Sequence, residues 1–186
     1  MADIKKALPI LWEREHNNDP KKVLHVNQGE NGYTFMGIYQ KAHPNLELWK
    51  IIRQKLQQYN GDKVLAGSIL YDNPRVVELV ENFYKREFWD KAKLDLVNSQ
   101  HIANEIFIFG VVAGMPPSIK KAQELVGVTV DGWVGKQTIA ALNAFDEKVF
   151  DIEFDEEEIE HFKEVVANNP SLAWALKGWI NRARAV

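Results

Sequence analysis

Residues 99–114 constrain the fold most. Ile102, Ile106, Phe107, Ile108, Phe109, Val111 and Val112 place apolar side chains almost all round a helix. A helix without a polar face is stable in water only when other elements surround it, so this segment is expected to be the buried central helix. The flanking segments supply its neighbours. Leu48, Ile51, Ile52 and Leu56 follow the 3.6-residue period in a helix opening near Pro44. Val76, Val80, Phe83, Phe88 and Trp89 predict a helix over 74–91. Shorter helices are expected over 2–15, 62–70, 116–126 and 135–145, with two more over 155–168 and 171–184. No βαβ alternation and no long repeat is visible, so the expected class is all-α.

The other informative stretch is polar. The apolar run Ala7, Leu8, Ile10, Leu11, Trp12 ends at Glu13-Arg14-Glu15, and the chain then enters turn chemistry at Asn17, Asn18, Asp19 and Pro20. Asn31-Gly32 marks a second tight turn, leading into Tyr33-Thr34-Phe35-Met36-Gly37-Ile38, with a short strand expected over 34–38. A carboxylate at a helix end thus faces a polar loop that returns with a hydroxyl residue. General acid catalysis needs such a setting, with apolar walls round the acid and polar groups opposite to place a water. Glu13 and Glu15 both compete for the role, but they lie about 200° apart round the helix. Only Glu15 keeps Leu11 and Trp12 in phase with the apolar stripe.

The residues Glu15, Asn18-Asp19-Pro20, Asn31-Gly32-Tyr33-Thr34 and Gly37-Ile38 resemble the N-terminal signature of glycoside hydrolase family 108. His16-Asn17 stands where that signature has a glycine pair. The family comprises peptidoglycan-cleaving muramidases of phages and bacteria, some of them called secretion activators. The resemblance implies a lysozyme-like helical fold, with a catalytic region over 1–90 and a packed helical peptidoglycan-binding region over 91–186. It implies Glu15 as acid and Thr34 as the residue holding water, either alone or with a second carboxylate, for which Glu30 is the nearest acid, with inversion if the carboxylates stand about 6.5–9.5 Å apart. Tyr33 is expected at the substrate.

Leu125-Val-Gly-Val-Thr-Val-Asp-Gly-Trp-Val-Gly-Lys-Gln-Thr and Gly178-Trp179 resemble the helical region that accompanies this hydrolase. Asp131-Gly132 makes a turn there, and Trp133 is the tryptophan best placed to meet a sugar. The implied activity is an endolysin-like N-acetylmuramidase. A lytic transglycosylase, which needs one carboxylate, and a wall-binding protein without activity are the alternatives.

Composition removes other classes. Twenty-three basic against 26 acidic residues give a net charge of -3, with no basic excess for nucleic acid. No cysteine is present, which excludes disulfides, thiolate catalysis and cysteine zinc sites. The five histidines show no metal-ligand spacing, so neither metal nor cofactor is expected. Residues 146–160 are acidic and read as a solvated connector leading into the acidic first turn of a helix. The N-terminal apolar run is short, contains Pro9 and ends in Glu13, unlike a signal peptide, and no stretch is long enough to span a membrane. A chain made in the cytoplasm and acting on the cell wall would then need a holin for export.

Overall fold

The computed structural model describes residues 1–27 and 29–184, Arg182 by its backbone alone. It is mostly α, as the periodicity predicts. The helices are α1 (Ile4–His16), α2 (Glu47–Gln58), α3 (Lys63–Tyr71), α4 (Pro74–Tyr84), α5 (Gln100–Ala113), α6 (Met115–Leu125), α7 (Lys136–Ala144), α8 (Glu147–Asn168) and α9 (Ala173–Ala183). Three two-residue strands, β1 (Leu24–His25), β2 (Thr34–Phe35) and β3 (Ile38–Tyr39), form an antiparallel sheet in that order.

The chain divides into two compact units. One is Leu8–Tyr84. Here α2, α3 and α4 pack on one another and α3 packs on β1. Its interior holds Leu8, Leu11, Val23, Phe35, Leu48, Trp49, Ile52, Leu70 and Val80. The approach of α3 to β1 is close. A Cβ on Gly67 would stand 2.9 Å from that of Leu24, so only glycine fits there. Trp49 is buried and donates its indole N–H to the His43 carbonyl at 2.8 Å, satisfying its one polar atom.

The other unit is Met1–Ala7 with Lys85–Val186. Here α5 packs against α6 and α8, and α8 against α9. Ile102, Ala103, Ile106, Phe107, Ile108 and Phe109 of α5 are all buried, as an apolar helix requires. The N-terminus is tied in by Ala2 N–H to the Val97 carbonyl and by Asp3 N–H to the Gln100 side chain.

The structure corrects several boundaries. The expected strand over 34–38 is a hairpin, because Met36 and Gly37 take left-handed φ of 47° and 80° and fold the chain back. The polar loop expected between the Asn17–Pro20 and Asn31-Gly32 turns contains β1. The helix expected from Pro44 begins at Glu47, with Leu46 in extended conformation before it. The helix over 74–91 is α only to Tyr84, and Lys85–Trp89 continue as a π turn. The acidic stretch has no separate connector before its helix. It forms the first half of α8, capped by the Asp146 carboxylate accepting from Lys148 and Val149 N–H.

Candidate active site

The end of α1 and the β2–β3 hairpin come together at Glu15. Two turns do this. After His16 the chain reverses through Asn17 and Asn18, whose φ of 54° and 51° suit asparagine better than most residues. The second turn is Met36-Gly37. The Glu15 carboxylate lies directly against it, since a Cβ on Gly37 would meet Glu15 Oε2 at 3.0 Å and the Tyr84 hydroxyl at 2.5 Å. Three groups from distant parts of the sequence thus share one point, and the missing side chain of Gly37 makes room for them.

Tyr84 fixes this arrangement. Its hydroxyl is buried and donates to the Met36 carbonyl at 2.7 Å. Burial, and then the neighbouring Glu15, push its pKa well above the ordinary phenol range. The phenol therefore stays protonated and donates to the Met36 carbonyl. Sequence reasoning gave Tyr84 no such role, and the glycine at position 37, which serves both the left-handed φ and this close approach, does not point to it.

Glu13 faces elsewhere. It is exposed, and its Oε2 accepts from Asn18 Nδ2 at 2.5 Å. Glu15 is half-buried. Phase thus separates the two acids as the helical wheel predicts.

Thr34 is 6% exposed, and its hydroxyl makes no hydrogen bond to any described residue, Glu15 included. It pairs with His25 on one side and Tyr39 on the other. Residues directly opposite in a sheet share a face, so the three side chains stand together. Tyr33 is half-buried, its backbone N–H bonded to Gln40 Oε1 and its carbonyl to Gln40 N–H. Glu30 accepts from Asn27 Nδ2 at 3.1 Å within its own loop.

In the second unit, the Asp131-Gly132-Trp133 turn is latched by Gln123, a fully buried residue on α6 that sequence reading passed over. The Gln123 carbonyl accepts from Asp131 and Gly132 N–H, and its amide donates to Asp131 Oδ1 and the Trp133 carbonyl. Asp131 Oδ1 also accepts from Trp133 N–H, which with Gln123 holds the carboxyl below the usual range. That oxygen is engaged in building the turn. The turn presents Trp133 at 70% exposure, with Lys93 Nζ 5.1 Å from the ring centroid and donating to the Val134 carbonyl. A groove of about 220 Å³ runs beside it, between Val128, Asp131 and Lys136.

Among the described residues, one group has metal-ligand chemistry: His101, Glu105 and Asp151, whose ligand atoms lie within 4.8 Å of one another. His101 and Glu105 are one turn apart on α5, a spacing the sequence reading overlooked. His101 Nε2 bonds Asp151 Oδ1 at 2.8 Å, which links α5 to α8.

The family model for Glycosyl hydrolase 108 matches residues 22–114, half of the chain. The chain belongs to glycosyl hydrolase family 108. A second model, described as Predicted Peptidoglycan domain, matches residues 118–184. This family 108 member is therefore a peptidoglycan-acting glycoside hydrolase. Thr34, Gly37 and Tyr84 fall inside the first match, and Glu15 lies just ahead of it. The fold is similar to that in the structure of Brucella abortus SagA, with a TM-score of 0.60, 19% identity, and coverage of 97% of this chain and 93% of that one. No curated protein matches the chain. No helix among the described residues of this family 108 hydrolase is long and apolar enough to cross a membrane.

Proposed function

We propose that this hydrolase is an N-acetylmuramidase, cutting the bond from N-acetylmuramic acid to N-acetylglucosamine in peptidoglycan with Glu15 as general acid. The observation that carries this reading is the Glu15 carboxylate held against the Met36-Gly37 turn beside a buried tyrosine hydroxyl. An acid placed so, half-buried at the end of a helix, can donate its proton to the leaving glycosidic oxygen. Water then adds to the anomeric carbon, and Thr34 is the residue to orient it. Its buried hydroxyl has both donor and acceptor capacity uncommitted among the described residues. Glu30 is the candidate second carboxylate. The test is clearing of purified peptidoglycan, with mass spectrometry of the fragments. Reducing N-acetylmuramic acid ends support the reading, and anhydro ends replace it with a transglycosylase.

The water role predicts that Thr34→Val, which keeps the shape and removes the hydroxyl, melts close to the parent yet turns over about 10- to 1000-fold more slowly. Full activity in the folded variant excludes it.

We further assign wall affinity to the second unit, with Trp133 as platform beside Asp131. Trp133→Ala is expected to weaken pull-down by insoluble peptidoglycan while shifting the melting temperature by only about 1–2 °C, since an exposed ring contributes little to stability. Undiminished binding with much earlier melting would make Trp133 a core residue.

A further inference from the structure

A second concavity lies beside the acid, within the Leu8–Tyr84 unit. It measures about 170 Å³ and is lined by Trp12, Met36, Tyr71, Asp72, Val77 and Val80. Its placement follows from helix geometry and from the hairpin. Trp12 precedes Glu15 by three residues on α1, so the two project from neighbouring positions on one side of the helix. Met36 is the residue before Gly37, against which the Glu15 carboxylate rests. The cavity therefore begins one residue from the candidate acid.

Its walls have the chemistry of a sugar site. Two aromatic rings come from different helices, Trp12 from α1 and Tyr71 from the end of α3. The floor is valine from α4. At the rim stands Asp72, exposed, beside the aromatic rings. Pyranose rings show C–H groups on their faces and hydroxyl or acetamido groups at their edges. They fit sites with aromatic walls and a few placed polar groups. The volume is of the order of one such ring.

Behind the walls lies an unusual residue. His16 is only 3% exposed, stacks on Trp12 with ring centroids 6.0 Å apart, and meets Tyr71 edge-on at 5.7 Å. Neither of its ring nitrogens has a hydrogen-bond partner among the described residues. Burial lowers its pKa, so the ring is neutral at pH 7. A purely structural histidine would normally be satisfied by a backbone group or carboxylate. Here the ring instead braces the two aromatics at a fixed separation.

We propose that this cavity is a subsite for one N-acetylhexosamine unit of the glycan strand, gripped between Trp12 and Tyr71 with its hydroxyl or amide edge bonded to Asp72. The assignment rests on the muramidase reading and adds to it where the strand lies, along α1 and past the Met36-Gly37 turn.

The experiment is calorimetric titration of full-length Glu15→Gln protein with the β-1,4-linked tetramer of N-acetylglucosamine, which carries the sugar backbone without peptide. The tetramer should bind. Asp72→Asn added to that background should weaken it about tenfold, the order expected when a charged acceptor becomes a neutral one. Tyr71→Ala should weaken it at least as much. Asp72 is exposed, so its variant will fold even if loss of Tyr71 disturbs His16. An unbound tetramer, or equal affinity with Asp72 and with Asn at that position, overturns the subsite. Failure of the muramidase reading looks different, because either Glu15→Gln would still clear peptidoglycan or the parent protein would leave anhydro ends, whatever the tetramer does.

Discussion

Glu15→Gln is expected to fold as the parent does and to lose peptidoglycan clearing by about 10²- to 10⁴-fold, the range of a positioned general acid. Glutamine keeps the size of the side chain and its place against Gly37, and it removes only the transferable proton. Glu13→Gln is the matched control. Its carboxylate is exposed and bonded to Asn18, on the other side of the helix, so most activity should remain. Circular dichroism and a melting curve for each protein would show that the difference is chemical. The reverse pattern moves the acid to Glu13. Two active variants remove the acid from this helix altogether.

The comparison also bears on Tyr84. The phenol donates to Met36 and has no second proton to offer Glu15. It holds the turn in place beside Glu15. A mechanism that needs Glu15 to act as proton donor is compatible with such a neighbour. One that needs Tyr84 as the acid is not, since burial and Glu15 together raise the pKa of its hydroxyl.

Most helices were legible because each carries its own local signal. Asp62 caps α3 by accepting from Leu65 N–H, and Ser99 caps α5 by accepting from Ile102 N–H. Their apolar periods then run uninterrupted. The hairpin was not legible, because two-residue strands are too short to show alternation, and the turn between them is Met-Gly and not the usual Asn-Gly. The start of α8 was hidden for another reason. Its first two turns are crowded with acids, and charge density reads as loop when the buried Phe150 and Phe154 are counted singly.

The candidate site divides in the same way. Glu15 and Thr34 were readable from a local stretch and a helical wheel. Tyr84 lies 48 residues from Met36, and no local pattern distinguishes a hydroxyl that pins a turn from one that fills a core. The Gln123 latch and the His101–Asp151 bond were missed on the same ground. Each is a polar pair made by tertiary packing, on helices whose sequence announces only apolar faces.

Gly37 is the position where one added carbon should matter most. Gly37→Ala brings two penalties together. The φ of 80° is left-handed backbone, which costs an alanine roughly 1–2 kcal/mol. The new methyl would also stand 2.5 Å from the Tyr84 hydroxyl and 3.0 Å from Glu15 Oε2. The Tyr84 hydroxyl cannot yield freely, because it is buried and bonded to Met36. The half-buried Glu15 carboxylate is the neighbour that swings aside. Relieving such overpacking costs about 1–3 kcal/mol more. For a chain of 186 residues the total of about 2–5 kcal/mol should lower the melting temperature by about 4–20 °C. The activity loss should exceed what unfolding explains, because the methyl displaces the carboxylate itself. Measured well below the new melting temperature, clearing should remain about 100-fold down, the order expected for a catalytic group moved by an ångström. Tyr84→Phe combined with Gly37→Ala separates the two effects. Removing the hydroxyl opens space for the methyl, so part of the stability should return. The turn has then lost its pin, so activity should not. Recovery of both together would mean that Gly37 only makes room, with no part in placing Glu15.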